Sequence, residues 1–234
     1  VFAMQGGPGA ENAFPGVATA FSDSTPVLLL PSGYPREREG WPRYFTAPRG
    51  YAGITKWLEQ VNDASQVEEA MRRAFSRMRM GRPGPVMIEV PADLAEEELV
   101  SLTYEPVRLT RSSGDPADVE RAARALVGAA VPLIHAGQGV LYAEATPELI
   151  ELAEMLDAPV VTTLLGKSGF PEDHPLSLGT AAGAMTGPAS HFLRKADVVL
   201  AAGASLAKHA MSATIPDGKT FIQITNDEAD LNRN

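Results

Sequence analysis

The sequence predicts an α/β fold with a mostly parallel sheet, and three observations support this. Short apolar runs recur along the chain, and each is nearly continuous, as in strands that are covered on both faces. Segments with helical periodicity lie between these runs, as expected when strands and helices alternate. Residues that favour helix ends stand where two of these helices should begin.

Six internal runs are predicted as strands, and a seventh strand-like run opens the chain at residues 1–4. The internal runs are residues 27–30, 86–90, 131–135, 160–163, 198–202 and 221–224. We expect the later runs to belong to a central domain with a doubly wound, mostly parallel, six-stranded, Rossmann-like sheet. We expect part of a second α/β domain to precede it.

Apolar side chains recur at helical spacing in three segments, near residues 67–78, 119–127 and 149–156. Ser65, with Glu68 three residues later, predicts a capping box at the first helix. Asp115 or Asp118 opens the second helix, with Pro116 near its first turn. Arginines at the end of the first helix suit the negative end of its dipole, and they predict either a solvated face or an anion site.

Composition excludes several classes of function. The net charge of −9 argues against a nucleic-acid binder and against docking on an anionic membrane. The apolar runs are too short to span a bilayer, no signal peptide is visible, and the absence of cysteine excludes disulfides and thiolate zinc sites. A cytoplasmic enzyme fits these features. Because the chain lacks an initiator methionine and starts and stops beside strand-like runs, we expect a piece of a longer protein.

An extended, polar stretch predicts a domain boundary. It contains the acidic cluster of residues 96–98 and ends in Ser-Ser-Gly-Asp-Pro at residues 112–116. We therefore place a linker at residues 93–115, between domains at 1–92 and 116–234, and we expect the second domain to be incomplete at its C-terminus. A second irregular region, residues 32–53, is long for a structureless loop and is a candidate for function.

The stretch GGPGAEN, residues 6–12, directly follows the first strand and precedes an amphipathic segment. A strand-to-helix turn offers free amides and a helix dipole to a phosphate. Pro8 removes one of these donors, however, and neither the Walker spacing nor the Rossmann glycine spacing is present. A phosphate loop and a tight turn are both open on this evidence.

Other polar residues give weaker signals. Glu89, alone in a predicted strand, is expected to be solvated at the strand end. Glu172, Asp173 and His174 are adjacent on one loop, which predicts turn chemistry rather than a metal site. The histidines have no metal-like spacing and no catalytic triad can be argued; they are His135, His174, His191 and His209.

Glycines follow several strands of the predicted central sheet. Ligands bind at the carboxyl ends of strands in open α/β sheets, so a nucleotide cleft is one interpretation and close packing of the backbone is the other. The candidate cleft residues are Gly137, Gln138, Gly139, Thr163, Leu164, Gly179, Gly183, Gly203, Ala204 and Asp227.

Taken in order, five stretches resemble the thiamine-diphosphate enzymes of the acetolactate synthase type. GGPGAENAFPGVATAFSDSTPVLLL and GRPGPVMIEVPADL are similar to the end of the pyrimidine-binding domain of that family. APVVTTLLGKSGFPEDHPLSLG, ADVVLAAGASL and FIQITNDEADLNRN are similar to its central domain. In the family the Gly-Pro-Gly turn lies beside the aminopyrimidine end of the cofactor. The resemblance therefore implies that Gly7, Pro8, Gly9 and Asn12 form part of an active-site wall.

The resemblance also implies an activity, namely decarboxylation of a 2-oxo acid with transfer of the acyl carbanion to an acceptor. Thiamine diphosphate and Mg²⁺ would be the cofactors, and a homo-oligomer is expected because the family builds its site between subunits. The family's catalytic glutamate lies upstream and its diphosphate and Mg²⁺ site downstream. We therefore expect no catalytic residue and no metal ligand within this chain, and no activity from the chain alone.

Some relatives in this family bind FAD in the central domain. Here the corresponding stretches read AAGAMTG, GASLA and QITND, and they lack the family's histidine, arginine and aspartates. These changes argue against FAD, although FAD or ADP is still possible. The alternative to an enzyme is a non-catalytic module that binds ADP, FAD or NAD, or that serves only as an interaction module.

Overall fold

The computed structural model describes residues 1–98, 103–108, 110, 112–208 and 211–231 of the chain. Two compact units are present, one of residues 1–111 and the other of residues 112–234. The predicted linker at residues 93–115 spans this division.

The first unit is built on a parallel sheet with the strand order β1-β2-β4-β3. The strands are β1 (Phe2–Met4), β2 (Leu28–Gly33), β3 (Trp57–Gln60) and β4 (Val86–Pro91). The central strands pair in register, with Leu28 opposite Val86. Their apolar side chains are buried on both faces, which explains why their sequences do not alternate.

Helices cover both faces of this sheet. They are α1 (Pro8–Ser22), α2 (Ala47–Tyr51) and α3 (Val67–Arg79). On one face α3 packs through Ala70, Ala74 and Met78. On the other face the core includes Ala10 and Val17 of α1 and Ala47 and Tyr51 of α2.

The start of α3 differs from the prediction. Ser65 does not cap α3, because the N-cap position is Gln66 and its side chain makes no capping hydrogen bond. Asp63 instead caps the turn before the helix by accepting a hydrogen bond from the Ser65 amide at 2.8 Å. A 3-10 turn at residues 64–66 precedes α3, because an aspartate two residues before an amide closes such a turn readily. Two arginines of α3 are engaged in ion pairs: the guanidinium of Arg73 lies 2.6 Å from Glu59, and that of Arg72 lies 3.5 Å from Glu68.

The second unit is built on a parallel sheet with the strand order β7-β6-β5-β8-β9. The strands are β5 (Pro132–Ala136), β6 (Val160–Thr162), β7 (Ser177–Thr180), β8 (Val198–Ala202) and β9 (Thr220–Ile224). Within the described residues this sheet has five strands, so the prediction of six was wrong. The apolar runs of this unit account for four strands, and the edge strand β7 adds one more.

Helices also cover both faces of the second sheet, as predicted for a doubly wound fold. They are α4 (Pro116–Val127), α5 (Gln138–Tyr142), α6 (Thr146–Leu156) and α7 (Gly187–Lys195). One face holds side chains of α4, α5 and α6, and the other holds Ala189 and Leu193 of α7. Asp115 caps α4 as predicted, because its carboxylate accepts the Ala117 amide at 2.8 Å. No helix in the described ranges is long and apolar enough to cross a membrane.

Candidate active-site wall and strand-end glycines

The Gly-Pro-Gly segment forms a tight turn between β1 and α1. Gly7 has φ 60° and ψ −110°, a backbone conformation that favours glycine, and Pro8 is the first residue of α1. The Ala10 amide donates to the Gln5 carbonyl at 3.0 Å, and the Glu11 amide donates to the Gly7 carbonyl at 2.9 Å. Two of the amides at the start of α1 are therefore satisfied within the turn.

The flanking glycines of this turn are required by close packing. A Cβ on Gly6 would lie 2.2 Å from the Ser32 carbonyl oxygen, at the end of β2. A Cβ on Gly9 would lie 2.9 Å from the Gln5 Cβ. The structure thus favours the tight turn over the phosphate loop at this position.

The outer side of the turn is accessible. Pro8 and Asn12 are both exposed and lie four residues apart, so they share one face of α1. Gly7 itself is buried. A ligand beside this turn would therefore meet the side chains of Pro8 and Asn12, as the family resemblance implies.

Tyr34 lies beside the same turn and belongs to a group of three aromatic side chains. We name Tyr34, Trp41 and Tyr44 the aromatic cluster. A Cβ on Gly7 would lie 3.3 Å from the Tyr34 hydroxyl. The ring centroids of Tyr34 and Tyr44 are 4.6 Å apart, and those of Trp41 and Tyr44 are 6.4 Å apart. All three rings belong to the irregular region of residues 32–53, whose length alone made it a candidate for function.

Helix α2 is tied to the first turn of α1. The Tyr51 hydroxyl donates to the Ala10 carbonyl, and the Tyr51 ring packs edge-on against Phe14 with centroids 5.4 Å apart. Tyr51 is fully buried, and desolvation raises the pKa of its hydroxyl. A buried tyrosine whose hydroxyl has a partner fixes the relative position of two segments.

Glu89 is buried rather than solvated, so the expectation for this residue was wrong. It is 6% exposed, and its Cγ would lie 3.0 Å from a Cβ placed on Gly33. Desolvation raises the pKa of its carboxyl, a hydrogen bond from the Ala47 amide opposes that shift, and the charge of Glu39 adds to it. The Glu89 carboxyl therefore stabilises the start of α2 by accepting the amide of its first residue, Ala47. The absence of a side chain at Gly33 provides room for the Glu89 side chain. Gly33 and Glu89 are distant in sequence, so no local pattern predicts this burial.

Arg36 anchors the start of the irregular region. Its backbone amide and its Nε donate to the Asp93 carboxylate at 3.0 and 2.7 Å, and its Nη1 donates to the Asn62 carbonyl at 2.8 Å. Its Nη2 also pairs with Glu97. These bonds lower the pKa of Asp93 and raise that of Arg36.

In the second unit, the strand-end glycines pack against one another. A Cβ on Gly137 would lie 2.2 Å from the Gly203 carbonyl oxygen and 2.6 Å from the Ala204 Cα. A Cβ on Gly139 would lie 2.7 Å from the Gly203 Cα, and Gly203 itself has φ 60°. The Gly137 and Gly139 amides donate to the carbonyls of Ala202 and Gly203 at 2.8 and 3.0 Å. Backbone packing thus accounts for these three glycines.

The remaining cleft candidates make local hydrogen bonds or turns. The Thr163 hydroxyl accepts the Gly166 amide at 3.0 Å, and Gln138 Nε2 donates to the Tyr142 hydroxyl at 2.9 Å. Three more candidates have their own local roles: Gly179 turns with φ 78°, the Gly183 amide donates to Met211, and Asp227 caps a 3-10 turn. Leu164 is exposed. The structure brings Gly137, Gly139, Gly203 and Ala204 together, with Gln138 between the first two in the chain. Thr163 lies next to this group, because its amide donates to the Ala136 carbonyl at 2.9 Å.

His135 is a buried histidine that sequence reasoning did not single out. It is 5% exposed in β5, between Val161 of β6 and Ala201 of β8. Within the described residues neither of its ring nitrogens has a hydrogen-bond partner. Desolvation lowers its pKa from 6.5 to about 4, so the imidazole is neutral at physiological pH.

The described residues contain no group of three or more side chains that could hold a metal ion. His174 contacts Glu154 at 3.2 Å and accepts the Leu176 amide at 3.2 Å, which agrees with the predicted turn role. His209 lies outside the described residues.

Comparison with known proteins identifies the family. The family model of the thiamine pyrophosphate enzyme N-terminal TPP binding domain matches residues 1–67, and that of the central domain matches residues 119–234. This chain belongs to the thiamine pyrophosphate enzymes. The family predicted from the sequence is confirmed.

Relatives of this chain include proteins named as synthases and transferases. The chain is 34% identical to a probable acetolactate synthase large subunit of Methanocaldococcus jannaschii, over 97% of the chain and 40% of the relative. It is 31% identical to a sulfoacetaldehyde acetyltransferase of Alcaligenes xylosoxydans xylosoxydans, over 97% of the chain and 39% of the relative. The chain thus spans about 40% of the length of the curated relatives it matches.

Solved structures agree in fold. A benzoylformate decarboxylase from Polynucleobacter necessarius superposes with a TM-score of 0.79 at 24% identity, over 97% of this chain and 44% of that one. A putative thiamin diphosphate-dependent enzyme from Mycobacterium smegmatis gives the same TM-score and identity, over 94% of this chain and 44% of that one. At this identity the similarity establishes the α/β fold and its parallel sheets.

Proposed function

We propose that the protein acts in a thiamine-diphosphate-dependent enzyme that decarboxylates a 2-oxo acid and transfers the acyl carbanion to an acceptor, in the manner of acetolactate synthase. The observation that carries this proposal is the match of two thiamine pyrophosphate family models in order along one chain. The similarity to a probable acetolactate synthase large subunit, over 97% of the chain, supports the choice within this family.

The geometry of the α1 turn fits a thiamine site wall. Gly7 and Gly9 keep the turn close to the end of β1, while Pro8 and Asn12 are left exposed on one face of α1. When bound, thiamine diphosphate supplies a nucleophilic carbon and accepts the electrons released as carbon dioxide leaves. The role of these residues is to position the pyrimidine end and to exclude water from it. We assign no catalytic residue and no metal ligand to this chain, and Mg²⁺ is proposed as the companion of the diphosphate.

We also propose the domain assignment and the setting of the enzyme. Residues 1–92 are assigned to the pyrimidine-binding domain, residues 93–115 to a linker, and residues 116–234 to the central domain. The limits of the family models and of the two compact units support this assignment. A homo-oligomer in the cytoplasm, acting on a small 2-oxo acid, completes the proposal.

The test uses the product of the complete reading frame, loaded with thiamine diphosphate and Mg²⁺. Pro8→Ala and Asn12→Ala should reduce kcat/KM for thiamine-dependent release of carbon dioxide while Tm changes little, because both side chains are exposed. Thr19→Ala, on an exposed position near the other end of α1, is the matched control. The proposal would be contradicted if kcat/KM fell in the two variants only together with a large fall in Tm. It would also be contradicted if Thr19→Ala reduced kcat/KM as much as they do.

The alternative is a non-catalytic module that binds a nucleotide or a partner. The backbone packing of Gly137, Gly139 and Gly203 accounts for these glycines without a nucleotide, which is why catalysis is preferred. A rise in Tm on addition of ADP, FAD or NAD, without thiamine-dependent turnover of any 2-oxo acid, would favour the alternative.

A further inference from the structure

We propose that the aromatic cluster of Tyr34, Trp41 and Tyr44 selects the substrate, and that it favours a 2-oxo acid whose carbonyl carries an aromatic ring. This inference rests on the proposed function, because that function places the Gly7–Gly9 turn at the cofactor. It goes further by naming the substrate class and the residues that recognise it.

The cluster lies beside the turn because of the strand order. Strands β1 and β2 are parallel neighbours, with Met4 opposite Pro31, so the chain leaves both strands at the same edge of the sheet. The Gly-Pro-Gly turn follows β1, and Tyr34 directly follows β2. The close approach of the Tyr34 hydroxyl to Gly7 is the result. A substrate that reacts beside this turn would lie within reach of the cluster.

Two rings of the cluster are exposed and are not part of the apolar core. Trp41 is 56% exposed and Tyr44 is 39% exposed, although both are large aromatic side chains. The apolar core on this face of the sheet is formed by other residues, including Tyr51 and Met87. Exposed aromatic groups that lie together mark binding surfaces more often than they mark ordinary surface.

The geometry suits a planar ligand. The Tyr34 and Tyr44 rings meet at 57°, and the Trp41 and Tyr44 rings meet at 44°. A third ring can then contact one of them by its face and another by its edge, which are the favoured aromatic arrangements. A small alkyl group on the same 2-oxo acid would make neither contact.

The segment that carries the cluster is held at both ends. Arg36 fixes its start through Asp93, Asn62 and Glu97. Helix α2 fixes its end through the Tyr51 hydroxyl and through Glu89 beneath Ala47. Binding therefore does not have to order this segment, and the contact energy of the rings is available for discrimination.

The experiment measures kcat/KM for thiamine-dependent release of carbon dioxide from benzoylformate and from pyruvate, with the loaded product of the complete reading frame. The wild type should prefer benzoylformate. Trp41→Leu and Tyr44→Leu should each reduce that preference by about tenfold, because one aromatic contact is lost and kcat/KM falls much further for benzoylformate than for pyruvate. Phe21→Leu is the matched control: Phe21 is 41% exposed and lies on α1 about 20 Å along the helix from Pro8, so the preference should persist.

A binding measurement gives a second readout that does not depend on turnover. The chain has two tryptophans, Trp41 and Trp57, so the fluorescence of Trp41 is obtained by difference from Trp41→Phe. Benzoylformate should quench this fluorescence in the wild type, and Tyr44→Leu should weaken the binding by about tenfold. Pyruvate should quench it much less.

The outcomes separate this inference from the proposed function. Turnover of pyruvate with no binding or turnover of benzoylformate would overturn the inference and leave the proposed function standing. Equal effects of Trp41→Leu on both substrates, or a change in oligomeric mass in place of a change in preference, would also overturn it. Quenching by benzoylformate without thiamine-dependent turnover of any 2-oxo acid would overturn the proposed function, and with it the assignment of the cluster to a thiamine site.

Discussion

Glycine-rich turns at strand ends occur in both units, and they serve different purposes. In the second unit the space beside Gly137, Gly139 and Gly203 is filled by the backbone of the same unit. In the first unit the glycines also permit close packing, but the outer side of the turn is left open beside Pro8, Asn12 and the aromatic cluster. A glycine at a strand end therefore indicates a close approach, and the space around its Cα decides whether the partner is protein or ligand.

The largest expected effect concerns Gly203, at the strand end in the second unit where backbone fills the surrounding space. Gly203→Ala would place a Cβ 2.7 Å from the Gly139 Cα at a positive φ, so it should destabilise the second unit by about 3 kcal/mol. Thermal unfolding measures the change. Gly187→Ala, where no atom lies within 4 Å of the added Cβ, is the control and should fold normally. A Gly203→Ala variant of unchanged Tm would show that the space beside this glycine is free for a ligand.

The second prediction tests the buried polar residue of the second unit. Because the pKa of His135 falls from 6.5 in the unfolded chain to about 4 in the folded one, the unfolded state takes up the proton first as the pH is lowered. Stability should therefore be lost between pH 6.5 and about pH 4, by roughly 3 kcal/mol in total. His135→Leu should abolish this loss in denaturant titrations at several pH values. His191→Leu, at an exposed position, should retain it; the same slope in both variants would refute the assignment.

The third prediction concerns the buried acid of the first unit, whose pKa moves in the opposite direction. Burial raises the pKa of Glu89 above 4.5, so the unfolded state loses its proton first as the pH rises, and stability should fall from pH 4.5 to the folded pKa. Glu89→Gln keeps an acceptor for the Ala47 amide without the charge. It should stabilise the protein by about 1 kcal/mol at pH 7 and less at pH 4. Glu59→Gln is the control: it removes an ion-pair partner of Arg73 and should not stabilise the protein. A Glu89→Gln variant less stable than the wild type at pH 7 would show that the charge of Glu89 is needed.

The smallest expected effect concerns Asp197, which joins the start of β5 to the start of β8. Its carboxylate accepts the amides of Ala130, Val131 and Val198 at 2.8, 2.9 and 3.0 Å, and these bonds lower its pKa. Its contribution is therefore present above its unfolded pKa and lost as the pH falls through the folded pKa. Asp197→Asn should lower Tm slightly at pH 7 and not at low pH. Asp217→Asn, at an exposed position, is the control and should leave Tm unchanged. A lower Tm of Asp197→Asn at both pH values would contradict the proposed cause.

Most of the fold was predictable because buried parallel strands leave continuous apolar runs. The strands that were missed, Trp57–Gln60 and Ser177–Thr180, are edge strands whose residues are half-buried and include polar side chains. Helix Gly187–Lys195 was missed because its apolar face is narrow, with Ala189 and Leu193 as its buried residues. Edge elements are stabilised on one side only, so the sequence constrains them weakly.

The candidate site was predictable only in part. The resemblance to the family identified the Gly-Pro-Gly turn, and the glycine count at the strand ends pointed to the second unit. The burial of Glu89 and the aromatic cluster were not predictable, because each depends on residues distant in sequence, such as Gly33 beside Glu89 and Gly7 beside Tyr34. Such contacts are set by strand order rather than by any local pattern.

The anchoring of residues 36 and 47–51 has a consequence for how the protein changes over time. Arg36 is bound to Asp93 and Asn62 at one end, and Tyr51 is bound to Ala10 at the other. The residues between these anchors are mostly exposed, and Phe45 contributes to the core. Substitutions at the exposed positions between the anchors leave these anchoring bonds in place. The outer surface of this stretch can therefore vary in sequence while the packing beneath it, which includes Phe45 and Ala47, is kept.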